Sequence, residues 1–133
     1  MMRDKRKCAS ADERQWAIYR MGDLIEGTSE LLWASIVWGE GYPELCEMLD
    51  RMAEEMAQEI RVLGRWMLRR GIDPPISRLC LSARRRETSV DGVIRSLLEK
   101  EEAALRSRRG EGCEGFSSAR AEERVRRLRR LLS

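Results

Sequence analysis

The hydrophobic pattern between residues 43 and 71 constrains the fold more than any other feature of the chain. Pro43 suits the first turn of a helix because its missing N–H would be unpaired there anyway. Gly71 suits a left-handed C-cap, and the two prolines that follow it prevent the helix from continuing. The pattern therefore predicts a helix from Pro43 to Arg70. Its apolar side chains recur at alternating steps of four and three, the spacing of one helical face: Leu45, Leu49, Met52, Met56, Ile60, Leu63 and Met67.

A second long helix is predicted before this one. Ser10 and Glu13 form a capping-box sequence, in which each side chain can satisfy a backbone N–H of the other residue. The helix should run from about residue 11 to Trp38. Gly22 and Gly27 each cost about 1 kcal/mol against Ala in a helix, so we expect a bend or a close contact there. Its mainly apolar stripe at helical spacing comprises Ile18, Met21, Ile25, Thr28, Leu32 and Ile36.

Two shorter helices are predicted in the second half of the chain. One begins after Ser89 and ends before the sequence GEGCEG, and its apolar positions are Val93, Ile94, Leu97, Leu98, Ala104 and Leu105. The other begins near Ser117 or Ser118. Its inward side chains should be Ala121, Val125, Leu128 and Leu132.

Together these patterns predict one all-α domain. A chain of 133 residues is long enough for a single core, and Ala, Leu, Met, Arg and Glu, which dominate it, favour helices. We expect residues 1–10 to form a flexible basic N-terminus and residues 11–133 to form a four-helix bundle. One long connection, between helices 2 and 3, favours the ferritin-like topology over a simple up-and-down bundle.

Cysteine spacing, charge and hydropathy exclude several classes of protein. The four cysteines lie more than thirty residues apart, so no pair resembles a zinc or redox motif, and we expect free thiols. No apolar run is long enough to cross a bilayer, and the N-terminus lacks an apolar leader. We therefore expect a cytoplasmic protein without a membrane partner.

The net charge is only +3, and the arginines cluster locally, as in the run Arg84–Arg86. Such clusters are more often solvated than bound to nucleic acid.

Glu101 is the most informative residue for function. Leu97, Leu98, Ala104 and Leu105 lie three or four positions from it, so its side chain faces the same way as theirs. A buried carboxylate costs several kcal/mol unless it is protonated, paired with a cation or bound to a metal. The sequence therefore predicts that something inside the bundle compensates Glu101.

Each of the other helices also carries an acid near its apolar face. Glu55 and Glu59 lie one turn apart on helix 2, Glu30 precedes Trp33 and Ala34 on helix 1, and Glu122 precedes Val125 on helix 4. These carboxylates can converge inside the bundle. Alternatively they flank the apolar stripe and reach solvent, or pair with arginines such as Arg61 and Arg95.

Four segments carry a resemblance to a known group of proteins: DLIEGTSELLWA, MAEEMAQEIRVLGRWMLRRGIDP, LLEKEEAAL and AEERVRRLRRLL. Over about residues 22–132 the chain resembles the ferritin-like superfamily, and within it the small bacterial rubrerythrin-like and manganese-catalase-like proteins. The LG at residues 63–64 and the RGIDP at the end of helix 2 look most like that family.

The resemblance implies a dimetal site, which such families build from one Glu on each of two helices and a Glu-x-x-His pair on each of the other two. It places the lone glutamates at Glu30 and Glu101, and the pairs at Met56 with Glu59 and at Glu122 with Val125. The chain contains no histidine, so the resemblance implies a degenerate site without a cofactor. Any metal would be Fe or Mn, and its ligands would be Glu30, Glu59, Glu101 and Glu122, with Glu55 as a substitute for Glu59.

The leading hypothesis is a non-catalytic bundle that forms a homodimer. Helices 3 and 4 are shorter than helices 1 and 2, so we expect Trp16, Tyr19, Trp66 and Met67 to stay uncovered and to form the interface. One alternative is a carboxylate-bridged Fe or Mn protein that oxidises iron, removes peroxide or performs oxygen chemistry. Another is a module that binds nucleic acid or an acidic partner through the Arg84–Arg86 run and an arginine face of helix 4: Arg120, Arg124 and Arg127.

Overall fold

The computed structural model of the protein describes residues 10–38, 41–73, 90–107 and 116–132, and these residues form four α-helices without a strand. The all-α class and the four predicted helices are thereby confirmed. None of the described helices combines the length and the apolar character that crossing a bilayer requires. The helices are α1 (Ala11–Trp38), α2 (Pro43–Arg69), α3 (Val90–Ser107) and α4 (Ser118–Leu132).

Several predictions concern residues outside the described part of the chain. They are the N-terminal tail up to residue 9, the connection over residues 74–89 with its Arg84–Arg86 run, and three of the four cysteines, Cys8, Cys80 and Cys113. The fourth, Cys46, is a free thiol.

The predicted ends of the long helices are confirmed in atomic detail. The Ser10 amide donates to Glu13 Oε1 over 3.0 Å, and the Glu13 amide donates to Ser10 Oγ over 3.1 Å, which completes the capping box. Gly71 has a φ of 70°, and the Ile72 amide donates to the Met67 carbonyl over 2.8 Å. That bond closes a Schellman motif, which ends α2 and buries Ile72 against the bundle.

Helices α1 and α2 form an antiparallel hairpin. At one end Ser35 Oγ lies 3.1 Å from Cys46 Sγ, and at the other end Arg70 lies 4.0 Å from Glu13. Residues early in α1 therefore face residues late in α2. This hairpin is the longer of the two in the bundle.

Helices α3 and α4 cover this hairpin. Each is antiparallel to the helix of the hairpin that it contacts. Along α1, position 20 contacts position 101 of α3, while the later position 27 lies close to position 97. Along α4, position 124 contacts position 59 of α2, while the later position 127 contacts position 55. Thus α3 is antiparallel to α1, and α4 is antiparallel to α2.

One core of buried apolar side chains has members from all four helices. Those of α2, α3 and α4 lie mostly at the predicted positions, including Leu49, Met52, Met56, Leu63 and Met67 of α2. Burial of this kind stabilises the fold by about 25 cal/mol for each Å² of apolar surface removed from water. The largest apolar side chains that are completely buried are Leu24, Leu31, Leu49, Met52, Leu63, Met67, Ile72, Leu97 and Leu128.

The predicted inward face of α1 is correct in part. Met21 is buried, and Ile18 and Ile25 pack partly buried against the core. Leu32 is 48% exposed and Ile36 is 70% exposed, so those two predictions were wrong. The helix carries apolar residues on two neighbouring sides, so its periodicity alone does not identify the buried one. The side that faces the core is the one with Ala17 and Leu24, and the side with Leu32 and Ile36 faces outward.

The predicted interface at the far end of the hairpin was also wrong. Trp16, Trp66 and Met67 are buried within the chain, and only Tyr19 of that group is exposed. Phe116, which precedes α4, packs against Trp16 with ring centroids 5.8 Å apart. The shorter helices therefore suffice to cover this end, because residues beside their ends fill the remaining space.

Two helical glycines lie in contrasting surroundings. A Cβ on Gly27 would lie 2.8 Å from both Leu97 Cδ2 and Met56 Cε, so three helices meet closely there, as expected from the sequence. A Cβ on Gly64 would lie 3.6 Å from Met21 Cε, an ordinary van der Waals contact. An added methyl group would therefore be crowded at Gly27, whereas Gly64 has room for it.

We predict opposite effects for alanine at these positions. Gly64→Ala should raise the free energy of unfolding by about 0.5–1 kcal/mol, because alanine loses less backbone entropy in a helix. Gly27→Ala should leave the protein about 1–3 kcal/mol less stable than Gly64→Ala, because the core must shift to admit the methyl group. Urea unfolding at one protein concentration measures both changes, and equal effects would contradict the close packing at Gly27.

Candidate functional site

Four charged side chains, one from each helix, form a closed ring in the interior of the bundle. Arg20 Nη1 donates to Glu101 Oε2 over 2.6 Å, and Arg124 Nε donates to Glu101 Oε1 over 2.5 Å. Glu59 completes the ring, with Oε2 at 2.5 Å from Arg124 Nη1 and Oε1 at 3.5 Å from Arg20 Nη2. Positive and negative groups alternate around it. The ring therefore has two charges of each sign and is neutral as a whole.

The ring lies away from solvent. Each of its four side chains is at most 3% exposed. The phenyl group of Phe116 covers Arg20. The guanidinium carbon of Arg20 lies 5.5 Å from the centroid of that phenyl group. At the α2–α4 seam, Glu55 lies 3.8 Å from Arg124 and 3.5 Å from Arg127, so a partly exposed pair extends the ring toward the surface.

The two arginines keep Glu101 ionised. Burial by itself raises the pKa of the Glu101 carboxyl, but the charges of Arg20 and Arg124 and their hydrogen bonds outweigh it and hold this pKa below its ordinary value. Burial likewise lowers the pKa of Arg124, and the nearby carboxylates of Glu101 and Glu59 reverse that effect and raise it. Glu101 and Arg124 therefore face each other as a carboxylate and a guanidinium ion.

Glu59 is held differently from Glu101. Both Glu101 oxygens accept guanidinium hydrogen bonds, whereas neither Glu59 oxygen accepts one of good geometry from the described residues. Glu59 is therefore retained mainly by charge attraction to Arg124 and Arg20. Glu101 is the better-coordinated acid of the ring.

A second charged group lies on the α1–α3 seam. Lys100 Nζ donates to Glu26 Oε1, and it lies 4.0 Å from Glu30 Oε1. Burial raises the pKa of Asp23 nearby, although the charges of Lys100 and Arg20 oppose this. Lys100 is therefore the cation that faces the acids of α1.

The structure brings together only part of the predicted ligand set. Glu59 and Glu101 share the two ring arginines, and Glu55 borders the ring through Arg124. Glu30 is buried beside Lys100 on the α1–α3 seam. Glu122 is exposed, because the buried side of α4 carries Ala121, Val125 and Leu128 and position 122 points about 100° away from it.

The partners of these acids differ from those that the sequence suggested. Arg20 and Arg124 pair with the buried glutamates, while Arg61 and Arg95 are exposed and Arg61 donates to Gln58. Arg124 is 1% exposed, so the hypothesis that it belongs to a partner-binding arginine face of helix 4 is wrong for this residue. Its neighbours Ala121 and Leu128 lie on the same side of α4, which is the signal that predicts its burial.

The ring does not suit a metal ion. The guanidinium groups of Arg20 and Arg124 lie between the carboxylates of Glu59 and Glu101, and a cation there would meet two fixed positive charges. Within residues 10–38, 41–73, 90–107 and 116–132, no three Asp, Glu or Cys side chains converge in a way that could hold a metal. The acids of the ring are compensated by arginine instead.

We predict that the ring contributes strongly to stability. Arg124→Met should lower the free energy of unfolding by about 3–5 kcal/mol, because it leaves Glu59 and Glu101 with a single buried cation. Arg127→Met is the matched control, since Arg127 is partly exposed, and it should cost less than about 1 kcal/mol. Adding Glu59→Met to Arg124→Met should cost less than the two single effects together, which a double-mutant cycle by urea unfolding measures.

We also predict a defined dependence on pH. Because the folded-state pKa of Glu101 lies below its unfolded value of about 4.3, its pairing contributes stability above that pH and loses it as the pH falls through the folded-state pKa. The unfolding free energy of Glu101→Gln should therefore fall less steeply on acidification than that of the wild type. Glu102→Gln removes a partly exposed pair with Arg129 and serves as the control. Parallel curves for Glu101→Gln and wild type would contradict this assignment.

Comparison of the chain with protein-family models, with curated proteins and with solved structures gives no match.

Proposed function

We propose that this protein is a ferritin-like four-helix bundle in which buried ion pairs replace a dimetal centre, and that it acts without catalysis through self-association. The directions of the helices support the topology. Because α2 and α3 both run against α1, they run parallel, and the end of α2 and the start of α3 lie at opposite ends of the bundle. A parallel pair of consecutive helices requires the single long crossover of the ferritin-like class.

The observation that carries the proposal is the position of the two guanidinium groups. In a dimetal bundle, cations lie between carboxylates that project inward from the helices. Here Arg20 and Arg124 supply the positive charge between Glu59 and Glu101. The same electrostatic requirement is met by side chains of the protein itself, so the interior is stable without a bound ion.

The burial of the ring supports a non-catalytic role. A general acid or base must lie within hydrogen-bond reach of its substrate. The ring side chains are at most 3% exposed, and their charges are engaged with one another. A substrate could reach them only after the core opened and an ion pair separated. The surface of the bundle, rather than its interior, is therefore where the protein acts.

The arginines of α4 do not favour a nucleic-acid partner. Arg126 and Arg127 both contact Glu123, and Arg129 contacts Glu102. Each of these cations already faces a carboxylate of the same chain. Binding to phosphate would have to compete with those pairs.

Metal analysis tests the proposal. Protein purified without chelator, and the same protein incubated with Fe²⁺ or Mn²⁺ and then desalted, should each contain well below one equivalent of metal, and the metal should not change the melting temperature. Glu59→Gln is the matched variant, because it removes a predicted ligand. Stoichiometric Fe or Mn in the wild type that is lost in Glu59→Gln would overturn the proposal in favour of a carboxylate-bridged metal protein.

A further inference from the structure

A groove that is open to solvent lies between α1 and α2. It has a volume of about 350 Å³, and its apolar lining comes from Met21, Ile60, Met67 and Leu68. Gly64 has no side chain to fill it, and a Cβ added there would lie at an ordinary contact distance, 3.6 Å, from Met21 Cε. Sites for small molecules are typically clefts of this size, with an apolar lining and a few polar groups that fix the orientation of the ligand.

Two arginines supply the polar groups of this groove. Arg61 and Arg65 line it, and they lie one turn apart on the same side of α2. Both are exposed. Arg61 Nη1 donates to the neutral side chain of Gln58 over 3.2 Å, and within the described part of the chain neither arginine contacts a carboxylate. Their positive charges are therefore available to a ligand.

The charge around the groove has a single sign. From residue 60 to residue 72 the sequence contains four arginines and no Asp or Glu. Glu13 of α1 reaches the end of α2, but it contacts Arg70 rather than the arginines of the groove. Two other grooves of the bundle, both bordered by α4, are each lined by two glutamates along with their arginines. The α1–α2 groove differs from them because its cations stand beside an apolar surface without an acid.

We propose that this groove binds a single-chain amphiphile with a carboxylate head group, of the chemical class of a medium-chain fatty acid. The aliphatic chain lies against Met21, Ile60 and Gly64. The carboxylate accepts hydrogen bonds from Arg61 and Arg65, since a guanidinium group can bind a carboxylate through two parallel N–H···O bonds. The inference goes beyond the proposed function and does not depend on self-association.

The volume of the groove selects one chain of moderate length. At roughly 30 Å³ for a group of the size of a water molecule or a methylene, 350 Å³ holds about a dozen such groups. That is one chain of about twelve carbons, whereas the two longer chains of a phospholipid would not fit. Dodecanoate is therefore the probe that matches the groove in both size and charge.

Isothermal titration calorimetry with sodium dodecanoate, kept below its micelle concentration, tests the site. One dodecanoate should bind per chain, and the affinity should fall about two- to fourfold for each methylene removed in decanoate and octanoate. Dodecyltrimethylammonium has the same chain with a cationic head group, and it should bind at least about tenfold more weakly. Equal binding of the two amphiphiles, or a dissociation constant for dodecanoate above about 1 mM, would overturn the proposal.

The arginines are tested by a double variant. Arg61→Gln combined with Arg65→Gln should weaken dodecanoate binding at least about tenfold, because it removes both cations that hold the head group. Arg95→Gln on α3 is the matched control, since Arg95 is also exposed but does not line the groove, and it should bind as the wild type does. All three positions are exposed, so circular dichroism should show unchanged helix content. An unchanged affinity in the double variant would contradict the assignment of the head group.

Gly64→Leu tests the position of the aliphatic chain. The leucine side chain would occupy the groove, so dodecanoate binding should be lost while the helix content stays that of the wild type. Gly64→Ala adds a single methyl group, which has room there, and it should retain measurable binding. Undiminished binding in Gly64→Leu would place the amphiphile elsewhere on the bundle and overturn this site.

Discussion

The closed ring of two arginines and two glutamates is the interaction on which the rest of the structure depends. Apolar side chains tolerate a shift of one helix against another, because one aliphatic contact replaces another at little cost. The ring does not, since moving any helix by a turn separates a full charge from its partner in a dry interior. Because each helix contributes one member, the four helices must reach one common register. We infer that the ring selects this packing of the bundle among others that would bury a similar apolar area.

The local features of the fold follow from the sequence, and the orientation of α1 does not. The capping box at Ser10 and the Schellman motif at Gly71 each involve a few neighbouring residues, so short patterns predict them. The inward face of α2 is also predictable, because its other face is charged. In α1, apolar residues occupy both sides, and the choice between Leu24 and Leu32 is made by α2 and α3, which contact one side only. Such a choice depends on the whole bundle and leaves no local signal.

The site shows the same division between local and tertiary information. Apolar neighbours three and four positions away predict the burial of Glu101, and the same pattern surrounds Arg20, which has Trp16, Ala17 and Leu24 at those positions. The methylene chain of an arginine is usually long enough to bring the guanidinium group to solvent even when the Cα faces the core. The pattern alone therefore does not predict a buried guanidinium. Which acid pairs with which arginine depends on distances between helices. The sequence therefore predicts that Glu101 needs compensation, while only the packed bundle identifies Arg20 and Arg124 as its source.

A groove of about 350 Å³ lies between α1 and α2 on the same helical turns as the ring. Arg20 and Glu59 point into the core, and the residues that follow them, Met21 and Ile60, line the groove. The attraction between Arg20 and Glu59 acts across α1 and α2, so it sets the spacing of the two helices where the groove lies. The charges that fix the interior therefore also fix the shape of this groove at the surface.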